Sequence, residues 1–196
     1  VCVMIHSGSR GLGYQVCDDA LASLRNAPQK YGISLPDRQL ACAPLTSDLA
    51  RRYLAAMACA ANYAWANRQI LMHWIEETFL KTLSLRPDEL GMNLLYDVCH
   101  NIAKKELHRV SGKATMVCVH RKGATRALPA GHPLLPEVYR AAGQPVLIPG
   151  DMGTHSYVLA GAPGSMEHSF GSSCHGAGRL LSRTQAVKRA KGRAIH

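Results

Sequence analysis

The sequence predicts an α+β fold in which short buried strands form mixed sheets, end in functional loops and pack against long flanking helices. Apolar residues make up 47% of the 196 positions, which favours a packed core over disorder. Several short apolar runs lead directly into loops that contain histidine or glycine. Ser47–Leu85 contains neither proline nor glycine, which predicts extended helix. The longest apolar stretch, Leu54–Ala66, is interrupted by Asn62, so we expect no membrane span.

The chain begins with an apolar run, Val1–Ile5, that is typical of a strand buried on both faces. His6 and a loop with the sequence HSGSRGLG follow, and ligands collect at such strand ends in layered α/β structures. The glycine order does not match the dinucleotide-binding fingerprint. Apolar residues then recur at helical spacing at Val16, Ala20, Leu21 and Leu24. A ligand-binding and a structural role for His6 both stay open at this point.

A long helical region is predicted after a loop-like stretch, Asn26–Leu45, that is rich in proline. Ser47 is suited to be the N-cap of one long helix or of the first of two kinked helices. We expect the apolar stripe of this region to pack in the core; it comprises Leu54, Met57, Ala58, Ala61, Trp65, Leu71 and Trp74. The alternative is a groove lined by Asn62, Trp65, Asn67 and Arg68.

A second strand that ends in histidine is predicted at Met92–Val98, which Cys99, His100 and Asn101 follow. Two histidines at strand ends favour a metal site more than one does, because the fold must bring several ligands together. The alternative, that both histidines cap helices or loops, stays open.

Three further strands are predicted, at Ala114–Val119, Gln144–Ile148 and Ser156–Leu159. The first leads into a basic loop, HRKGATR (120–126), that is suited to bind phosphate through side chains and amides together. A solvated surface loop is the other interpretation of that segment.

The stretch Ser169–Arg179 places His175 between a loop of small residues and a predicted helix start. Gly176, Ala177 and Gly178 leave bare backbone beside the histidine, and amides at a helix N-terminus favour a bound phosphate. The spacing of Gly171 and Gly176 matches a Walker A loop, but Ala177 stands where the lysine belongs. An imidazole in this position is a candidate nucleophile.

The net charge of +10 favours a polyanionic partner such as RNA or DNA over an acidic one. A generally basic protein without such a partner is the alternative. Seven scattered cysteines with no C-x-x-C pair argue against a disulfide framework and a zinc ribbon. A reducing compartment therefore fits best, and we expect a cytoplasmic protein.

Segments along nearly the whole chain resemble the RtcB family of RNA-splicing ligases, in the family's order. They are HSGSRGLG (6–13), NYAWANR (62–68), YDVCHNIAK (96–104), HRKGATRA (120–127), PVLIPGDMGTHSYVL (145–159) and SFGSSCHGAGR (169–179). The resemblance implies an RtcB-like fold and an enzyme that depends on GTP and manganese. Such enzymes join an RNA 3′-phosphate or 2′,3′-cyclic phosphate to a 5′-hydroxyl, in tRNA splicing or in RNA repair.

The resemblance also implies roles for individual residues. His175 would attack the α-phosphate of GTP and become guanylylated, and the GMP would then pass to the RNA 3′-phosphate. His6 and His100 would be manganese ligands. Contacts to the guanylate map to His100, Asn101, Pro149, Gly150, Asp151, Met152, Ser156, His175, Gly176, Ala177 and Gly178. RNA contacts are expected from Arg10, Arg179 and Arg183, because a guanidinium suits terminal phosphates.

The same resemblance places residues 1–196 in the central to C-terminal part of a single catalytic domain. The family's other metal ligands, an Asp, a Cys and an Asn-His pair, would precede Val1. We therefore expect these 196 residues to be inactive alone and the complete protein to be a ligase. Two alternatives stay open, an RNA-binding relative without catalysis and a metal-dependent phosphoesterase.

Overall fold

The computed structural model describes residues 2–37, 39–150 and 155–176. They fall into two compact units, Val1–Leu95 and Tyr96–His196. That both belong to a single catalytic domain stays a prediction. The α+β class is confirmed, since the described residues combine helices with small antiparallel sheets.

The described part of the first unit is helical. It contains α1 (Gly11–Leu24), α2 (Ala27–Lys30), α3 (Asp48–Leu83) and α4 (Pro87–Leu90). The predicted N-cap of α3 is confirmed, because Ser47 Oγ accepts a hydrogen bond of 3.2 Å from the Ala50 amide. The helix runs unbroken to Ser84, which has φ of +54° and closes the last turn.

The side chains that α3 buries are small. Ala50, Ala60 and Ala64 are buried, and α1 packs against this helix. A Cβ added at Gly13 of α1 would lie 3.9 Å from the Ala60 Cβ, so small residues let the two helices approach closely. The predicted core stripe is wrong for its two large rings, because Trp65 is 44% exposed and Trp74 is 59% exposed.

Two apolar runs that were predicted to be strands are not strands. The described part of Val1–Ile5 and the run Met92–Val98 have no regular secondary structure. An apolar run shows that side chains avoid water, but a strand also needs a hydrogen-bonded neighbour, which such a run does not specify. Asn26–Leu45 was predicted to be loop, and it contains the one-turn helix α2.

The second unit is built on a long hairpin of β1 (Asn101–Val110) and β2 (Lys113–Lys122). Its register runs from the Asn101–Lys122 pair to the Val110–Lys113 pair. Ser111 and Gly112 form the two-residue turn with φ of +48° and +79°, which suits the right-handed twist of the strands. β1 was missed by the sequence analysis, whereas the predicted strand Ala114–Val119 is confirmed within β2.

Short strands complete the described part of this unit. β3 (Ala124–Arg126) pairs antiparallel with β6 (Ser172–Cys174), and β4 (Pro145–Ile148) pairs antiparallel with β5 (Tyr157–Ala160). Two short helices, α5 (Glu137–Arg140) and α6 (Ser165–Ser169), lie between them in the chain. β4 and β5 confirm the strands that were predicted at Gln144–Ile148 and Ser156–Leu159. All the strand pairs of the described residues are antiparallel and two-stranded, whereas mixed sheets were expected.

A small buried core includes residues of β4 and the residue that follows β3. Ala127, Val146 and Ile148 form an apolar cluster. Gln144 is buried beside it, donates to the Tyr96 hydroxyl at 2.6 Å and accepts from the Leu128 amide at 3.2 Å. Among the residues that the structure describes, no helix is both long and apolar enough to cross a bilayer.

Candidate functional site

The second unit brings together two of the predicted site histidines. His100 immediately precedes β1, and His175 immediately follows β6. Their rings are stacked, with centroids 4.0 Å apart and planes inclined by 22°. The pairing of β6 with β3 carries His175 to this position, because the Ala124–Cys174 pair adjoins both histidine-bearing loops.

Gly123, between β2 and β3, fits underneath this stack. Its amide donates to the His100 carbonyl at 2.9 Å and to the Asn101 Oδ1 at 3.1 Å. Its φ is +65°, and an added Cβ would lie 3.5 Å from Cε1 and Nδ1 of His175. The glycine of the predicted phosphate loop therefore lies in contact range of the histidine, and its backbone conformation favours glycine.

Further predicted nucleotide-binding residues lie beside His175. A Cβ added at Gly176 would lie 3.7 Å from the Pro149 carbonyl oxygen. The Gly150 amide donates a hydrogen bond of 2.9 Å to Ser156 Oγ. The segments around residues 149 and 175 thus adjoin, and that they bind a guanylate stays a prediction. Other predicted site residues lie outside the described part of the chain: Asp151, Met152, Ala177, Gly178, Arg179 and Arg183.

A buried ion pair lies behind the loop that leads to His175. Glu106 of β1 is 7% exposed and Arg121 of β2 is 3% exposed. The guanidinium donates to both carboxylate oxygens, at 2.9 and 2.8 Å, and Nε2 of His108 lies 3.0 Å from Oε2. Burial by itself would raise the pKa of Glu106, but the hydrogen bonds from Arg121 and His108 outweigh it and lower that pKa.

Positive charge surrounds the same strands. Burial, with the charge of Arg126 as the second cause, lowers the pKa of Lys104 on β1. Arg126 also lies 4.0 Å from the Glu106 carboxylate. Arg121 and Arg126 thus both lie within 4.0 Å of the one carboxylate of Glu106, with Lys104 on the same strand.

The first unit contains the other predicted metal ligand, His6, which is exposed. Asn67 of α3 donates to Ser7 Oγ at 3.0 Å and to the Gly8 carbonyl at 2.9 Å. Arg68 donates to the Ser7 carbonyl at 3.3 Å. These polar residues were considered as groove lining, and the structure shows that they hold the loop after His6. Arg10, a predicted RNA contact, precedes α1 with φ of +53°.

The sequence did not predict the Arg121–Glu106 ion pair or the contact of Gly123 with the His175 ring. Charged residues in a strand are normally assigned to solvent, and no signal in the sequence opposes this, because the apolar residue between Glu106 and His108, Leu107, is the exposed one.

The described residues define an α+β protein with a stacked histidine pair beside glycine-containing loops. The family model described as tRNA-splicing ligase RtcB matches residues 1–196. Proteins named tRNA-splicing ligase RtcB from Archaeoglobus fulgidus and Thermococcus kodakarensis are 59% and 57% identical to this chain over 195 and 192 residues. The chain belongs to the RtcB family.

These relatives are longer than the chain. The match to the Archaeoglobus fulgidus protein covers 100% of this chain and 40% of that protein. The match to the Thermococcus kodakarensis protein covers 98% of this chain and 40% of that protein. A Methanocaldococcus jannaschii protein with the same name is 54% identical, and 20% of its length is covered. The chain thus spans two fifths or less of these relatives.

Proposed function

We propose that the complete protein is an RNA ligase that depends on GTP and manganese. It would join an RNA 3′-phosphate or 2′,3′-cyclic phosphate to a 5′-hydroxyl, with tRNA halves or broken RNA as substrates. The observation that carries the proposal is the His100–His175 stack beside the Gly123, Pro149 and Gly150 backbone. Membership of a family described as tRNA-splicing ligase supports the substrate class.

His175 is the proposed nucleophile. A neutral imidazole nitrogen is available near pH 7 and would form a bond to the α-phosphorus of GTP. The bond from that phosphorus to the bridging oxygen would break, and pyrophosphate would leave. Gly123 and Gly176 carry no side chains, and a Cβ added at either would lie within 4 Å of the His175 ring or of the Pro149 carbonyl oxygen, so larger residues would narrow the space proposed for the phosphates.

The following steps move the nucleotide and then release it. A 2′,3′-cyclic phosphate would first add water and open to the 3′-phosphate. The RNA 3′-phosphate would then attack the histidine-bound phosphorus, the bond from that phosphorus to the imidazole nitrogen would break, and GMP would pass to the RNA. The 5′-hydroxyl of the second RNA would then attack the activated 3′-phosphate, and GMP would leave. Arg10, Arg179 and Arg183 are the proposed contacts to RNA phosphates, since the guanidinium fork matches phosphate geometry.

The donor set in the second unit fits a divalent first-row metal, because imidazole nitrogens bind such ions. His100 is the proposed manganese ligand there, and His6 of the first unit stays a predicted ligand. Bound manganese would neutralise charge on the phosphates, which agrees with the absence of a lysine at position 177.

The test uses the complete protein, GTP labelled in the α-phosphate, and manganese. His175→Ala should lose the covalent label, by at least about 100-fold, because the attacking nitrogen is gone. His168→Ala is the matched control, since this exposed histidine lies on α6 outside the site, and it should label normally.

Other results would support other functions. Label on His175→Ala, or no label on the wild type, contradicts the proposed chemistry. RNA binding without label would favour the non-catalytic relative. Hydrolysis of an RNA 3′-phosphate without label would favour the phosphoesterase.

A further inference from the structure

Arg121 connects the long hairpin to the segment that leads into His175. One side of its guanidinium bonds Glu106. The other N–H groups reach the Phe170 carbonyl at 2.9 Å and Ser172 Oγ at 2.9 Å, with the Gly171 carbonyl at 3.5 Å. A single buried fork thus holds both a carboxylate on β1 and residues 170–172.

The segment 170–172 has a backbone that needs to be held. Phe170 and Gly171 have φ of +51° and +61°, and positive φ is uncommon for a residue such as phenylalanine. The Ala127 amide donates to the Gly171 carbonyl at 2.6 Å, and the Gly171 amide donates to the Ser165 carbonyl at 2.8 Å. Arg121 supplies the side-chain bonds of this arrangement from the hairpin.

His175 depends on this segment because only β6 separates them. β6 is three residues long and pairs with the three residues of β3, so its own ladder is short. Arg121 bonds the side chain of its first residue, Ser172. Gly123, two positions after Arg121, lies under the ring of His175. Arg121 near the end of β2 therefore bonds the first residue of β6, and Gly123 just after β2 lies against the histidine that follows β6.

We propose that Arg121, oriented by Glu106, is a positioning residue that sets the place of His175 against His100. This inference rests on the proposed function, in which His175 is the nucleophile. A buried ion pair is not required for stability as such, because apolar replacements are often neutral. Arg121 of this ion pair also bonds Phe170 and Ser172, so the pair can position the segment that leads to His175.

The first experiment measures labelling by GTP in the complete protein. Arg121→Lys keeps the charge but loses the planar fork, so the rate should fall at least about 10-fold while KM for GTP stays within about 3-fold. Ser172→Ala removes one bond and should slow labelling about 3-fold. Ser173→Ala, on the other face of the same strand, is the matched control and should label at the wild-type rate.

A second readout does not need the ligase activity. Diethyl pyrocarbonate modifies accessible neutral imidazoles, and mass spectrometry gives the rate at each histidine. In Arg121→Lys the rate at His175 should rise at least about 3-fold, because the ring is no longer held against its neighbour. His73 on α3 is the internal reference and should not change.

The outcomes separate the inference from the proposed function. If the wild type takes no label, the proposed function fails, and the modification rate alone decides the positioning role. Unchanged modification of His175 in Arg121→Lys and in Ser172→Ala overturns the inference. A lower unfolding midpoint with wild-type labelling per folded molecule also overturns it, because the pair would then be purely structural.

Discussion

The loops that follow or precede the site histidines are held differently in the two units. In the first unit, Asn67 and Arg68 project from a 36-residue helix and bond the backbone after His6. In the second unit, His175 follows a three-residue strand that a buried ion pair supports. In the first unit the long helix holds its loop through half-buried hydrogen bonds from one amide and one guanidinium, whereas in the second unit the short strand β6 is held by a buried ion pair.

This difference has an energetic consequence. Hydrogen bonds from an exposed or half-buried amide contribute little each, because water competes for the same groups. A buried ion pair involves desolvated charges, so removal of one partner leaves the other uncompensated. Mutations at these sites should therefore lower the free energy of unfolding by different amounts. The largest loss is expected at Glu106, a smaller one at Asn67 and the smallest at Ser47, the N-cap of α3.

The largest effect is expected for Glu106→Gln. This change keeps the shape but leaves the Arg121 charge without its carboxylate, and the free energy of unfolding should fall by about 3–5 kcal/mol. Urea denaturation of the complete protein measures this change. Glu167→Gln on α6 is the control, and a loss below about 1 kcal/mol in Glu106→Gln would contradict a strong anchor.

The same variant should remove a pH dependence. The pKa of Glu106 is lowered in the folded state, so its stabilising contribution is complete above the ordinary pKa and is lost as pH falls through the lowered folded value. The stability difference between wild type and Glu106→Gln should be constant from pH 7 to about 5 and shrink below about 4. A constant difference down to about pH 2 would show that the carboxylate charge is not the stabilising group.

A smaller effect is expected at the helical anchor. Asn67→Ala removes two hydrogen bonds to the Ser7–Gly8 loop and should cost about 1–2 kcal/mol. Asn62→Ala is the matched control, because Asn62 is exposed on the same helix and shows the gain from alanine's helix propensity alone. Equal stability of the two variants, measured by thermal unfolding, would contradict the anchoring role of Asn67.

Local patterns predicted the parts of the fold that depend on neighbouring residues. Ser47 is predicted as an N-cap because its hydroxyl can accept from an amide three residues on, and β4 and β5 are predicted from short apolar runs. Val1–Ile5 and Met92–Val98 failed because strand pairing depends on a partner elsewhere in the chain. β1 carries several charged residues, which hid a strand whose buried face contains Glu106 and His108.

The same distinction applies to the site: single residues could be predicted, but their arrangement in space could not. His100 and His175 were each selected by type, sequence context and family resemblance. Their stacking required the pairing of β3 with β6, which brings together residues far apart in sequence. The Arg121 contacts depend on both a hairpin register and this pairing, so a single sequence offered no local pattern for them.

The smallest effect is expected at the start of α3, far from either anchor in sequence. Ser47→Ala removes the oxygen that accepts the Ala50 amide and should cost about 1 kcal/mol. Thr46→Ala, one residue earlier, is the control because it precedes the cap position. The Asn67 anchor lies well inside the helix and fraying is confined to the ends, so amide exchange should accelerate in the first turn of α3 and stay unchanged near Asn67. Faster exchange at Asn67 in Ser47→Ala would mean that the helix opens as one unit. It would contradict the expectation that the Asn67 bonds to the His6 loop are independent of the helix end.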